Sequence, residues 1–319
     1  MKKKWLIAGG VTITALATGF ALGSEAVFSL VSRRKSKLFE LAQKKPKDIL
    51  GLTEDMSQNL AKDIEVLRTT PMETVTVRSH DGLTLVGHWY PSTAPKRTVI
   101  MAHGWRGAWY RDFGMSADFM HDSGCNLLYI EQRSHGESEG KYISYGALER
   151  FDIQSWVDFL LSRNADNLPI YLCGISMGAS TVLMSTELPL KNHINGVIAD
   201  CGFTSGDAIL KDVISKSFRH APISALFKIT DITCKHHTGI AYGDCSTIPA
   251  MRNCIVPILF IHGENDDFVP VSMTYENYEA CASPKDIFIV PKAGHGTSYA
   301  FDRDGYEAKV LAFFGKYDK

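Results

Sequence analysis

Three residue types that together can open an acyl bond occur in this chain in suggestive surroundings. Ser176 lies in Gly174-Ile175-Ser176-Met177-Gly178, His295 lies in Ala293-Gly294-His295-Gly296, and the carboxylates Asp266 and Asp267 stand between them in the chain. A serine hydroxyl becomes a strong nucleophile only when a neighbouring base takes its proton. A neutral imidazole can take that proton and return it to a leaving group. A carboxylate behind the imidazole would orient it and stabilise its charged form. Asp266 and Asp267 are both placed for that task, and spacing alone does not separate them. Asp200 is a third candidate, one strand earlier.

These groups need a frame, and the apolar runs supply one. Pro169-Ile170-Tyr171-Leu172-Cys173 reads as a buried strand and Ala179 to Ser185 as a helix. A Gly-x-Ser-x-Gly turn between a strand and a helix is the context of a nucleophile elbow, where side chains at the flanking positions would collide with the neighbouring backbone. Val75 and Val77 alternate with polar residues before Asp81-Gly82, and Leu83, Leu85 and Trp89-Tyr90 follow, which predicts an opening antiparallel hairpin. Short apolar strands follow at 98–102, 127–130, 195–199, 258–261 and 286–290. Helical stretches cross over between them at 112–122 and 147–161, and a closing helix is expected at 305–317. Alternating strands and helices predict α/β architecture with a mostly parallel central sheet and helices on both faces. Each polar cluster follows the C-terminal end of a strand, the edge where such sheets bind ligands.

Composition narrows the functional classes. Lys+Arg total 34 against Asp+Glu 35, a net charge of −1, so no basic excess points to nucleic acid. The seven cysteines are scattered without a C-x-x-C pair, which fits buried single thiols better than a disulfide framework. The N-terminus is distinctive: Lys2-Lys3-Lys4 precede an uncharged stretch from Trp5 to Ser24, with Arg33, Arg34, Lys35 and Lys37 beyond it. That length is enough to cross a bilayer as a helix. Residues 1–35 are therefore expected to be an N-terminal membrane anchor, with the bulk of the chain on the extracytoplasmic side. Cleavage of a signal peptide near Ala21-Leu22-Gly23, followed by secretion, is the alternative. Residues 36–70 read as an amphipathic helical connector: Leu38, Leu41, Ile49 and Leu52 form a first run, broken at Pro46 and Gly51, and Leu60, Ile64 and Leu67 form a second.

From about Pro71 to the C-terminus, the domain 71–319, the chain resembles α/β-hydrolase-fold serine hydrolases, in the esterase and prolyl-oligopeptidase-like branch found in bacteria as membrane-anchored proteins. The order serine, acid, histidine is theirs. The family motif His-Gly-x-x-Asp-x-x-Val-Pro falls on His262, Gly263, Asp266, Val269 and Pro270, and the resemblance selects Asp266 as the acid. The His-Gly-x loop falls on His103-Gly104-Trp105. It implies an oxyanion hole made by the backbone N–H groups of Trp105 and Met177. The family's Asp-x-Arg-Gly-His-Gly-x-Ser segment reads here Glu131-Gln132-Arg133-Ser134-His135-Gly136-Glu137-Ser138, with Glu131 and Ser134 departing from the pattern. The resemblance makes this segment a structural support for the loops near the elbow.

Between Gly202 and Asn253 an apolar, helical insertion (about 203–253) precedes the next strand, and the resemblance makes it a short lid over the nucleophile. Cys234, His236, His237 and Cys245 fall within it at spacings that fit no usual zinc site. No metal or cofactor is expected. The implied function is hydrolysis of a small-molecule carboxylic ester through an acyl-enzyme carried by Ser176, Asp266 and His295. The alternatives are a serine peptidase or acyltransferase using the same residues, or a membrane-tethered, non-catalytic binding protein on the same fold.

Overall fold

The computed structural model describes residues 22–37, 40, 52–163, 166–217 and 223–318. Among the described residues eight strands form one sheet. They are β1 (Glu73–Arg78), β2 (Thr84–Tyr90), β3 (Arg97–Ala102), β4 (Cys125–Ile130), β5 (Ile170–Ile175), β6 (Gly196–Asp200), β7 (Ile258–Gly263) and β8 (Lys285–Val290). Their spatial order is β1-β2-β4-β3-β5-β6-β7-β8. The expected hairpin is β1–β2, and β2 also meets β4 antiparallel. All other pairs are parallel, from β4–β3 through β7–β8.

A sheet covered on both faces needs apolar residues at consecutive positions, which is why β3 and β4 read as unbroken apolar runs. Ile100 and Ala102 of β3 face one core with Leu128 and Ile130, Trp156, Val157 and Leu160. Val99 and Met101 face the other with Leu127 and Tyr129, Phe113, Met120, Phe313 and Phe314.

The helices, in chain order, begin with α1 at 22–32 and α2 (Glu54–Thr69). Next come α3 (Trp109–Phe113), α4 (Ala117–Asp122), α5 (Glu149–Arg163) and α6 (Met177–Ser185). Then follow α7 (Gly206–Ser217), α8 (Ile223–Thr238), α9 (Thr247–Arg252), α10 (Val271–Ala280), α11 (Ser298–Phe301) and α12 (Arg303–Tyr317). The expected crossover helix at 112–122 is broken into α3, a 3-10 turn Gly114–Ser116 and α4. At this break α2 comes close, and a side chain at Gly114 would lie 3.0 Å from the Ile64 backbone nitrogen of α2. In α2 itself, the Thr53 hydroxyl caps the N-terminus by accepting the Met56 N–H, and Leu67 is buried. The first half of the connector falls almost entirely outside the described residues.

The insertion between β6 and β7 is helical, comprising α7, α8 and α9. Phe203, Ile209, Leu210, Ile214 and Phe227 pack there against Met177, next to the candidate nucleophile. Within that insertion Cys234 Sγ approaches the Ile240 carbonyl, while His237 bonds Glu25 and stacks on Phe28. Residues 1–21 lie outside the described residues, and with them most of the expected anchor. The rest of that segment, residues 22–35, lies against the domain, with Phe28 fully buried. None of the described helices is long and apolar enough to cross a membrane.

Candidate active site

Ser176 stands between β5 and α6 with φ +56° and ψ −117°, a conformation rarely taken by a residue with a side chain. The local sequence permits it. A methyl group at Gly174 would overlap the Gly178 backbone, and one at Gly178 would overlap the Ala102 carbonyl of β3. The two glycines thus let strand, turn and helix interlock, and the Ser176 N–H closes the turn on Asp200 O at 2.8 Å.

Register brings the other groups to the same edge. Ile175, Asp200 and Ile261 are paired across β5, β6 and β7, so the loops after these strands open side by side. Ser176 Oγ–H donates to His295 Nε2 at 3.0 Å, and His295 Nδ1–H donates to Asp266 Oδ2 at 2.7 Å. Asp266 Oδ1 accepts the Phe268 and Val269 N–H groups at 2.9 and 2.8 Å. Burial raises the Asp266 pKa, but hydrogen bonds and charge from His262 and His295 outweigh it and hold the carboxyl well below the usual range. Asp266 therefore stays ionised.

The two other carboxylates are placed differently. Asp267 is exposed, and its backbone carbonyl accepts from Lys216 Nζ. Asp200 is buried and accepts from Ser298 Oγ at 3.3 Å. Burial pushes its pKa up to about 6 against the pull of His262 and His295.

The loop after β3 faces the nucleophile, and a side chain at Gly104 would lie 3.3 Å from Ser176 Cβ. Three side chains hold this loop: His103 and His135 from motifs already noted in the sequence, and Asp112, which the sequence reading did not single out. Asp112 Oδ2 accepts the Gly104 N–H at 2.6 Å. His103 Nδ1–H donates to Gly104 O at 2.8 Å, which leaves Nε2 to accept the Gln132 N–H at 3.1 Å. His135 repeats the device: Nδ1–H donates to Arg133 O, and Nε2 accepts the Arg106 N–H at 3.0 Å. Both imidazoles must stay neutral to accept these bonds. Burial lowers the pKa of His103, and burial with its His103 and Arg106 neighbours pushes that of His135 down to about 3.

The departures in the 131–138 segment are accommodated. Ser134 takes φ +66°, where the family pattern has glycine, and its Oγ–H donates to Tyr142 O at 2.8 Å. Glu131 reaches His88 Nε2 at 3.1 Å and also accepts the Glu137 N–H. Arg133 anchors the segment through the buried Asp152 and through Asp81.

Comparisons with known proteins bear on the fold. Residues 93–221 match the family described as Hydrolase_4: Serine aminopeptidase, S33. The chain is similar to the esterase Pf2001 of Pyrococcus furiosus, with TM-score 0.63 and 21% identity over 86% of this chain and 97% of that one. The chain has the α/β-hydrolase fold. The α/β hydrolase GrgF from Penicillium gives TM-score 0.61 at 17% identity, covering 78% of this chain and 99% of that one. Among sequence relatives, the uncharacterised protein YqkD of Bacillus subtilis is 29% identical over 316 residues, 98% of this chain and 97% of its own. Protein bem46 of Schizosaccharomyces pombe is 23% identical over 77% of each chain. In this α/β-hydrolase fold, Ser176 follows β5, Asp266 follows β7 and His295 follows β8.

Proposed function

We propose that the protein is a serine hydrolase that cleaves a carboxylic ester through an acyl-enzyme. The observation that carries this reading is the continuous hydrogen-bond chain from Ser176 Oγ through His295 to Asp266 Oδ2. Ser176 Oγ attacks the ester carbonyl as its proton passes to His295 Nε2. The resulting imidazolium is stabilised by the ionised Asp266. The oxyanion is held by the N–H groups of Trp105 and Met177. Expulsion of the alcohol breaks the carbonyl C–O bond, and His295 returns its proton to the leaving oxygen. Water, deprotonated by His295, then releases the acid and restores Ser176. Two fixed donors aimed at the developing charge are worth about 2.7–4 kcal/mol each by typical mutagenesis.

The apolar cluster around Met177, with Trp105, Phe268, Leu210, Ile214 and Phe227, supports a modest apolar acyl group. The uncharged residues 5–21, ahead of the docked α1, support an N-terminal anchor that would keep the site beside a bilayer. The match to the serine aminopeptidase family supports amide cleavage as the second reading. One experiment separates these. The full chain and its Ser176→Ala variant are treated with a fluorophosphonate probe, then offered p-nitrophenyl esters of rising chain length and aminoacyl p-nitroanilides. Labelling and ester turnover that vanish in the variant are expected. Turnover of the anilides alone would give the peptidase reading, and a folded protein that never labels would remove the serine from the chemistry.

A further inference from the structure

The C-terminal end of α1 runs directly over the candidate oxyanion loop. A helix leaves its last carbonyls without partners of its own, and here groups of the hydrolase domain satisfy those of Leu30, Val31 and Ser32 and of the two residues just beyond, Arg33 and Arg34. Leu30 O accepts from Arg106 Nη2 at 3.1 Å. Val31 O accepts from the Trp105 indole Nε1–H at 2.9 Å and from the Tyr145 hydroxyl at 3.0 Å. Ser32 O accepts the Ile143 N–H at 2.7 Å. Arg33 O and Arg34 O accept from Arg106 Nη2 and Nη1 at 2.6 and 3.2 Å. Trp105 and Arg106 are the two residues that follow Gly104 in the loop, and Arg106 is held at φ +50°.

The same helix is fastened to the insertion between β6 and β7. Ser24 Oγ meets Thr233 Oγ1 at 3.0 Å, Ser32 Oγ meets Tyr242 OH at 2.7 Å, and His237 Nε2 lies 2.8 Å from Glu25 Oε1. Phe28, fully buried, stacks on the His237 ring at 4.8 Å between centroids. The helix therefore bridges the loop after β3 to α8 and the 239–242 turn of the insertion.

We propose that α1 is a positioning element of the active site, its terminal carbonyls fixing the Trp105 backbone through the Trp105 indole and the Arg106 guanidinium. Arg106 is the positioning residue that transmits the docking of α1 to the oxyanion hole. The proposal rests on the serine hydrolase reading for its catalytic consequence, but its structural content stands apart from it. A donor that binds the oxyanion acts on the transition state more than on the ground state. Loosening that donor lowers kcat and leaves KM nearly unchanged. The N-terminal segment, on this account, sets the turnover of a site from which it is remote in sequence.

The test uses the full chain with Phe28→Asp, Phe28→Ala, Arg106→Gln and the double variant Phe28→Asp/Arg106→Gln. Rates are normalised to the sites that react with fluorophosphonate, so loss of folded protein is divided out. Each of Phe28→Asp and Arg106→Gln should lower kcat for a p-nitrophenyl ester by about tenfold or more, against about 10²–10³ for outright removal of an oxyanion donor. KM should stay within about threefold, and Phe28→Ala, the milder change should Phe28→Asp fail to fold, should show the same pattern at smaller size. The double variant should be no slower than the worse single one, because releasing α1 by Phe28→Asp already removes the contacts that Arg106 makes to it. Multiplying losses, or an unchanged kcat, would overturn the proposal. Hydrogen exchange over residues 103–107 should quicken in every variant. If the wild type neither labels nor turns over, the hydrolase reading falls by itself, and exchange decides: faster exchange supports the positioning role, unchanged exchange ends it.

Discussion

His262 Nε2 lies 3.1 Å from the same Asp266 Oδ2 that receives the His295 proton donor. His262 Nε2 also lies 3.0 Å from Val269 O, so this nitrogen carries the proton, and Nδ1 accepts from Thr274 Oγ1 at 2.7 Å. The acid thus takes donors from two imidazoles on one oxygen and from two backbone N–H groups on the other. Its orientation is set by donors on both oxygens, which favour its ionised form.

Asp266→Asn keeps the shape but not the charge that stabilises the imidazolium. An amide there also favours the wrong tautomer of His295, so we expect kcat for esters to fall by about 10⁴-fold. Asp267→Asn, at an exposed position, should stay within about twofold. Steady-state kinetics of the two variants checks the assignment, and the opposite ranking would move the acid to Asp267.

Gly178→Ala should be poorly tolerated. Its methyl group would overlap a strand carbonyl, which cannot swing aside as a side chain can, so a cost of about 3 kcal/mol or more is expected. Gly315→Ala, in α12 with open space around it, should instead gain about 0.5–1 kcal/mol. Thermal unfolding of both variants would show opposite shifts in Tm, and two similar shifts would contradict the interlocked elbow.

Acid should weaken the fold through His135. Its pKa is about 3 in the folded chain, against about 6.5 for a free imidazole. The unfolded chain takes up the proton first as pH falls. The stabilisation is therefore complete above about pH 6.5, declines through the acid range, and is lost below about 3, at up to about 1.4 kcal/mol per pH unit. His103 acts in the same direction. Asp200, raised to about 6, acts the other way, stabilising at low pH and losing that contribution as pH rises through 6. Urea unfolding at pH 7.5 and 4.5 should show a smaller fall in stability for His135→Gln, whose amide oxygen can still accept the Arg106 N–H. Equal falls would mean that His135 is protonated in the folded state.

Much of this was legible in the sequence because its causes are local. The apolar runs gave strands because a doubly covered sheet needs them, and the two glycines around Ser176 marked a turn that side chains would block. The register that brings Asp266 and His295 to one edge was readable as polar clusters after strands. Of the supports of the β3 loop, Gln132 and His135 lie in the 131–138 segment that the resemblance marked as support. Asp112 was not legible: it reaches Gly104 from the following helix, and no periodicity signals such a contact. The close approach of α2 to Gly114 is likewise a tertiary fact. The docking of residues 22–35 was obscured by composition, since apolar residues that suit a bilayer also suit burial against the helical insertion.

The seven cysteines, all buried and none in a disulfide, make the chain a meter of its own opening. They are spread over both faces of the sheet and the insertion between β6 and β7, from Cys125 and Cys173 to Cys234 and Cys281. A thiol reagent supplied to the native protein would find each only when its own region exposes it. Locating the modified sites by mass after brief pulses would therefore rank the opening of insertion, strand and helix layers without any engineered residue.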